Sequence, residues 1–209
     1  MKKLKLSAFA VLFALFAFQG CTKEEISPLE KPGYITLNTV MHKLWADHMQ
    51  WTYATVDAFF NDANALQPNL DRLLKNQKDI GAAIVPYYGQ AAGDQLSALL
   101  TEHIQLAVPV LQAAKSNDQA ALDKGLADWN NNAKEIAQFL SAANPENWPL
   151  ATMDHAMEHH ISQTTTYAVD LLKGDRNQAV VNYDIAFNHM METADLLAKG
   201  IALQFPDKL

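Results

Sequence analysis

The chain has 209 residues, of which 49% are hydrophobic and 19% charged. Its 16 Lys and Arg face 23 Asp and Glu, a net charge of −7, which argues against nucleic acid as a partner because phosphate neutralisation needs a basic face. A single cysteine excludes an internal disulfide framework and any Cys-rich zinc or iron–sulfur site.

Residues 1–20 predict an export signal. Lys2, Lys3 and Lys5 form a positive start, and Leu6 to Phe18 form an apolar run broken only by Ser7. That run is short for a transmembrane helix and fits a signal core. It ends in Phe18-Gln19-Gly20-Cys21, which resembles the bacterial lipobox, where the Cys becomes lipidated and N-terminal. The resemblance implies a mature chain that starts at Cys21 and sits on a lipid bilayer through palmitate-type acyl chains. Loss of the three Lys leaves a body at −10. Charge would not draw it to anionic lipid, so attachment rests on the chains, at about 0.8 kcal/mol per buried CH₂. Thr22-Lys23-Glu24-Glu25 has no Asp after the Cys. This resembles outer-membrane sorting in Gram-negative bacteria and implies a periplasm-facing or cell-surface domain. Residues 21–36 are predicted to be a tether, because Ser27-Pro28 and Lys31-Pro32-Gly33 interrupt regular structure.

Residues 37–209 are predicted to be one all-α domain, an antiparallel bundle of four to five long helices. The first helix is expected over about 38–62, with Met41, Leu44, His48, Thr55 and Phe59 on one side. A short helical insertion is expected after Pro68, ending in the turn Pro86-Tyr87-Tyr88-Gly89. Further helices are expected over about 91–115, 118–143, 149–173 and 177–204. Pro109 falls inside one of them, Asn144-Pro145 and Gly174 end two others, and Pro206 follows the last.

The seven histidines carry the chemical signal. His48, His103, His159 and His189 fall near the middle of four different helices. In antiparallel helices of similar length they reach similar heights, so four imidazoles can meet in one layer. Acids precede three of them (Asp47, Glu102, Glu158), and Glu192 follows His189 by one turn. His155 and His159 are four apart and can share one ion. Imidazole and carboxylate ligands suit zinc, iron, manganese or copper. The candidate ligands are therefore His48, His103, His159 and His189, then Glu102, Glu158, Glu192 and His155. Asn132 follows the apolar face of its helix and is placed to reach the histidine layer. A buried histidine can equally be a hydrogen-bonded core residue. A structural or interaction lipoprotein with a polar core and no metal is thus the alternative. A metal-dependent oxidative or hydrolytic enzyme is a second one. No nucleophile is recognisable, catalytic residues are unassigned, and protein partners are not indicated.

Two resemblances follow from these residues. His155-x-x-x-His159 and single histidines on other helices partly resemble hemerythrin-like metal-binding bundles, although Ala107 stands where that family has a Glu after His103. Leu44-Trp45-Ala46-Asp47-His48-Met49-Gln50-Trp51-Thr52, Leu99-Leu100-Thr101-Glu102-His103, Trp129 to Ala137 and Glu158-His159 resemble a group of bacterial helical-bundle proteins with no assigned activity. That second resemblance spans nearly the whole mature chain and implies the fold and these positions, without a reaction.

Overall fold

The computed structural model describes residues 26–209; the signal segment and Cys21 lie outside the described residues. Six helices occupy almost all of it: α1 (Pro32–Asn61), α2 (Ala63–Tyr88), α3 (Gln90–Ser116), α4 (Gln119–Ala143), α5 (Leu150–Lys173) and α6 (Arg176–Gln204). Single 3₁₀ turns flank them at Pro28–Glu30 and Pro206–Lys208. Among the described residues there is no strand, and no helix is long and apolar enough to cross a membrane.

Local chemistry sets the helix ends. Asp62, Asp118 and Asp175 precede α2, α4 and α6, and each carboxylate accepts a hydrogen bond from a first-turn N–H. Asn117 and Gly174 close α3 and α5 in the left-handed conformation, at φ 57° and 76°. These caps leave connections of one or two residues at Asp62, Gly89, Asn117-Asp118 and Gly174-Asp175, so consecutive helices run antiparallel.

Two expectations are corrected. The tether does not extend to residue 36, because α1 begins at Pro32. Proline at the first helical position lacks only an N–H that would have had no partner there. The expected short insertion is a full helix, α2, which accommodates Pro68 one turn in and Pro86 near its end. Pro68 is exposed, so water can satisfy the carbonyl that its missing N–H leaves open.

Each helix packs on its sequence neighbours, and α6 closes the ring against α1. α1, α3 and α5 also touch one another across the middle. α2 and α3 come into backbone contact where Gly81 meets Gly93: a Cβ on Gly93 would stand 2.7 Å from the carbonyl oxygen of Gly81. The half of the bundle near the chain termini is densely filled by Met41, Trp45, Ile80, Leu96, Ile136, Met153, Trp148, Leu197 and Ile201. The connection between α4 and α5 is locked onto α6, with Asn144 donating to the Gly200 carbonyl at 2.9 Å and Trp148 to that of Leu196 at 3.2 Å.

Candidate functional site

α1, α3 and α5 run in one direction. Each carries a histidine thirteen positions before its last residue: His48 before Asn61, His103 before Ser116, His160 before Lys173. α2, α4 and α6 run the other way. They carry Gln77, Asn132 and His189 thirteen or fourteen positions after Ala63, Gln119 and Arg176. At a rise of 1.5 Å per residue all six reach a common height, about 20 Å from the end of the bundle that holds the short turns. Five of these side chains, His48, Gln77, His103, Asn132 and His160, form a buried polar layer across the interior, and His189 stands half-buried at its edge.

His48, His103 and His160 are 2%, 2% and 4% exposed. The His160 ring stands between the other two, with centroids 5.6 Å from His48 and 5.8 Å from His103. The tautomers follow from the neighbours. Asn132 donates from Nδ2 to the Leu99 carbonyl at 3.2 Å, so its Oδ1 accepts from His103 Nδ1 at 2.8 Å. The proton of His103 is therefore on Nδ1, and Nε2 is a bare acceptor. Gln77 donates from Nε2 to the Leu73 carbonyl at 2.9 Å and faces His48 Nδ1 at 3.3 Å with the same amide. His48 accordingly carries its proton on Nε2.

All three rings are neutral at physiological pH. Burial pushes His48 down to about 3, with the His103 ring adding to the effect and the Gln77 hydrogen bond opposing it. Burial lowers His103 to about 4 against the Asn132 hydrogen bond. His160 is held well below 6.5 by burial and then by His48, His103 and His189.

Buried polar atoms without a protein partner gather at this height. They include His103 Nε2, His160 Nδ1, Gln77 Oε1, and the indole N–H groups of Trp45 and Trp129, with Thr164 Oγ1 one turn below His160. Trp45 packs edge-on to His48 at 5.6 Å and Trp129 lies 5.2 Å from His103. Folded proteins leave few such atoms unpaired, and a concentration of them marks a place built around something polar.

Below the layer, toward the short turns, the bundle is hollow. A cavity of about 270 Å³ starts at His48, His103 and His160 and runs past Thr52, Thr164, Ala107 and Ala168. It continues to Phe59, Leu111, Leu122 and Leu172. Thr52, Thr164 and Ala168 nearest the histidines are buried, whereas Phe59, Leu111, Leu122 and Leu172 are partly exposed, so the cavity opens at the turn end. On the densely packed side only about 40 Å³ remains. At about 24 cal/mol per Å³, side chains that filled a 270 Å³ space would recover roughly 6 kcal/mol. Small residues at positions 107 and 168 leave that stabilisation unused.

The other candidates lie elsewhere. His155 and His159 are on the outer face of α5, their ring centroids 4.1 Å apart with the planes tilted by 47°, and His159 is 5.8 Å from His189. His189 is half-buried and donates from Nε2 to the Ala156 carbonyl at 3.0 Å. Glu102, Glu158 and Glu192 are exposed, so the interior contains none of the three carboxylates considered as ligands. Neighbours on a helix are about 100° apart, which turns the acid beside a buried histidine outward. Glu102 keeps one link inward, accepting from Asn132 Nδ2 at 3.4 Å. Among the described residues no group of three or more His, Cys, Asp or Glu stands in a geometry that could hold a metal ion.

Sequence reasoning left open whether His159 or His160 turns inward, and it did not single out Gln77; the structure turns His160 inward. His160 shares its face with Met153, Thr164, Tyr167 and Leu171, all buried. Two of those four are polar or amphipathic, which hides the stripe from a purely apolar pattern. Counting back from Gly174, as from Asp62 and Asn117, brings the adjacent pair His159 and His160 to the height of His48 and His103, and packing decides which of the two turns inward. Comparison of the chain with protein-family models, with curated proteins and with solved structures gives no match.

Proposed function

We propose that this is a lipid-anchored binding protein that takes its ligand into the bundle interior and holds it against His48, His103 and His160. The observation that carries this reading is the cluster of unpartnered buried polar atoms at the inner end of an open cavity. Ligand sites are concave and mostly apolar with a few convergent polar groups, and this interior has that composition. Anchoring at Cys21 and an outer-membrane location belong to the same proposal and rest on the resemblances carried by residues 18–25 alone.

A metal ion on the same three imidazoles is a second reading. His103 favours it, because Asn132 fixes the Nδ1 proton and leaves the Nε2 lone pair free, as in metal sites whose ligand histidines are oriented by a hydrogen bond. The rings would have to rotate about their side-chain torsions to meet one ion.

Metal analysis of untagged protein and melting curves with and without chelator test both readings. Roughly stoichiometric metal, lost in H103A and kept in H42A, a change at a surface histidine that contacts Asp195, supports the metal. No metal, with stabilisation by small organic molecules, supports the cavity ligand. A protein that responds to neither is a structural or interaction scaffold.

A further inference from the structure

The dimensions and chemistry of the cavity narrow the class of ligand, on the reading that the interior is a binding site. The cavity lining contains no Lys, Arg, Asp or Glu. A charged ligand would lose its hydration there without a counter-charge. About 270 Å³ is nearly twice the roughly 150 Å³ cavity known to hold benzene, which leaves room for on the order of ten carbon atoms. The space is elongated. It follows α1 from His48 to Phe60, α3 from His103 to Ala114 and α5 from His160 to Leu172, each about 17 Å of helix. Its walls are mostly aliphatic and aromatic along this length; the hydroxyls of Thr55 and Thr165 donate to carbonyls of their own helices, Gln112 is exposed near the mouth, and the three imidazoles stand at the closed end.

That closed end asks for a hydrogen-bond donor. His103 Nε2 is a buried acceptor with no protein partner, closed off from the cavity in this structure, so a hydroxyl reaches it once the neighbouring His160 ring gives way, and Asn132 prevents it from taking up the Nδ1 proton. His48 offers the complementary N–H, since Gln77 occupies its Nδ1. A hydroxyl can donate to the first kind of group and accept from the second. An ether or aldehyde can only accept, and an alkane can do neither. We infer that the protein binds an uncharged, elongated apolar alcohol of about ten carbon atoms, chain toward the turn end and hydroxyl donating to His103 Nε2. The opening lies at the end of the bundle remote from Pro28–Glu30, where the N-terminal segment meets the C-terminal turn through Lys31 and the Pro206 carbonyl. An anchored molecule would therefore present its cavity to the aqueous side.

Calorimetric titration of the purified protein with 1-octanol, 1-methoxyoctane and octanoate at pH 7.5 tests this. Octanol should bind at least tenfold more tightly than the ether, and octanoate should bind more weakly than octanol. In A107L, which narrows the cavity, octanol binding should fall at least tenfold. In the paired variant H103L/N132L, which removes both members of one hydrogen bond, the alcohol-to-ether ratio should fall to about one. Equal affinities for octanol and ether in the native protein would overturn the hydroxyl assignment while leaving the cavity a binding site. Octanoate as the tightest of the three would overturn the uncharged class. An alcohol preference that survives in H103L/N132L, or octanol binding untouched by A107L, would overturn the placement. If none of the three organic probes binds, and zinc added alone does not bind either, the interior is not a ligand site and both readings fall.

Discussion

Asn132 Oδ1 accepts from His103 Nδ1 at 2.8 Å, and that one contact decides which nitrogen of the ring is offered to the interior. The amide is itself held by the Leu99 carbonyl and by Glu102, so the orientation of a buried histidine on α3 is set from α4. Replacing Asn132 by Leu strands a buried N–H. The expected loss is about 1–3 kcal/mol. In a protein of this size that lowers the melting temperature by roughly 2–4 °C per kcal/mol. H103L/N132L should recover most of the loss, because no orphan is left. Thermal melts of the three proteins at pH 7.5 check this, and a paired variant less stable than N132L would contradict it.

Acid should weaken the fold early. His48 and His103 are held at about 3 and about 4 and His160 well below 6.5, while in the unfolded chain all three titrate near 6.5. The unfolded state therefore binds more protons once the pH falls below 6.5. The contribution of the neutral rings is complete above that value and is lost progressively as the pH drops toward the folded values. Each ring adds a slope on the order of 1 kcal/mol per pH unit. Denaturant midpoints should fall between pH 6.5 and 5, above the carboxylate range. H160L should remove about one third of that slope. A flat profile over this interval would mean that the rings are protonated in the folded protein.

His159 and His160 are adjacent and should behave oppositely. H159A changes an exposed ring and should shift stability by less than about 0.5 kcal/mol. H160A removes a buried side chain from the face shared with Met153, Thr164, Tyr167 and Leu171 and should cost about 2 kcal/mol or more. Parallel urea titrations distinguish the two. Comparable losses would show that the outer histidine pair contributes to the fold.

Filling the hollow half should trade binding for stability. Ala168 is buried on the cavity wall, and A168L places an apolar side chain into the space without a polar group to satisfy. We expect the melting point to rise, by the equivalent of about 1 kcal/mol, as cavity-filling changes commonly do. Octanol binding should be lost in the same protein. A lower melting point would show that the wall is already tightly packed.

Attachment is tested apart from the interior. Labelled palmitate should be incorporated into the native chain expressed in a Gram-negative host and should be absent from C21S. Fractionation should move the variant from the membrane to the soluble fraction. Label in C21S would place the acyl chain elsewhere.

The helical character of the chain, its five long segments and most of their ends were legible without coordinates. Helix periodicity, capping Asp, Asn117 and Gly174 are local features, and local interactions decide them. The second helix was not legible, because Pro68 reads as a break and only packing against α1 and α3 shows that a proline one turn into a helix is tolerated. The height of the histidines was readable from position along each helix, since rise per residue is fixed. Their direction was not. His159 and His160 differ by 100° around α5, and neither carries a mark that says which turns inward. That choice belongs to the neighbouring helices, which bury the face holding Met153, Thr164 and Tyr167. The cavity was still less accessible to pattern reading. A hollow exists only where side chains from five helices fail to meet, so it is a property of the assembled bundle and of no single segment.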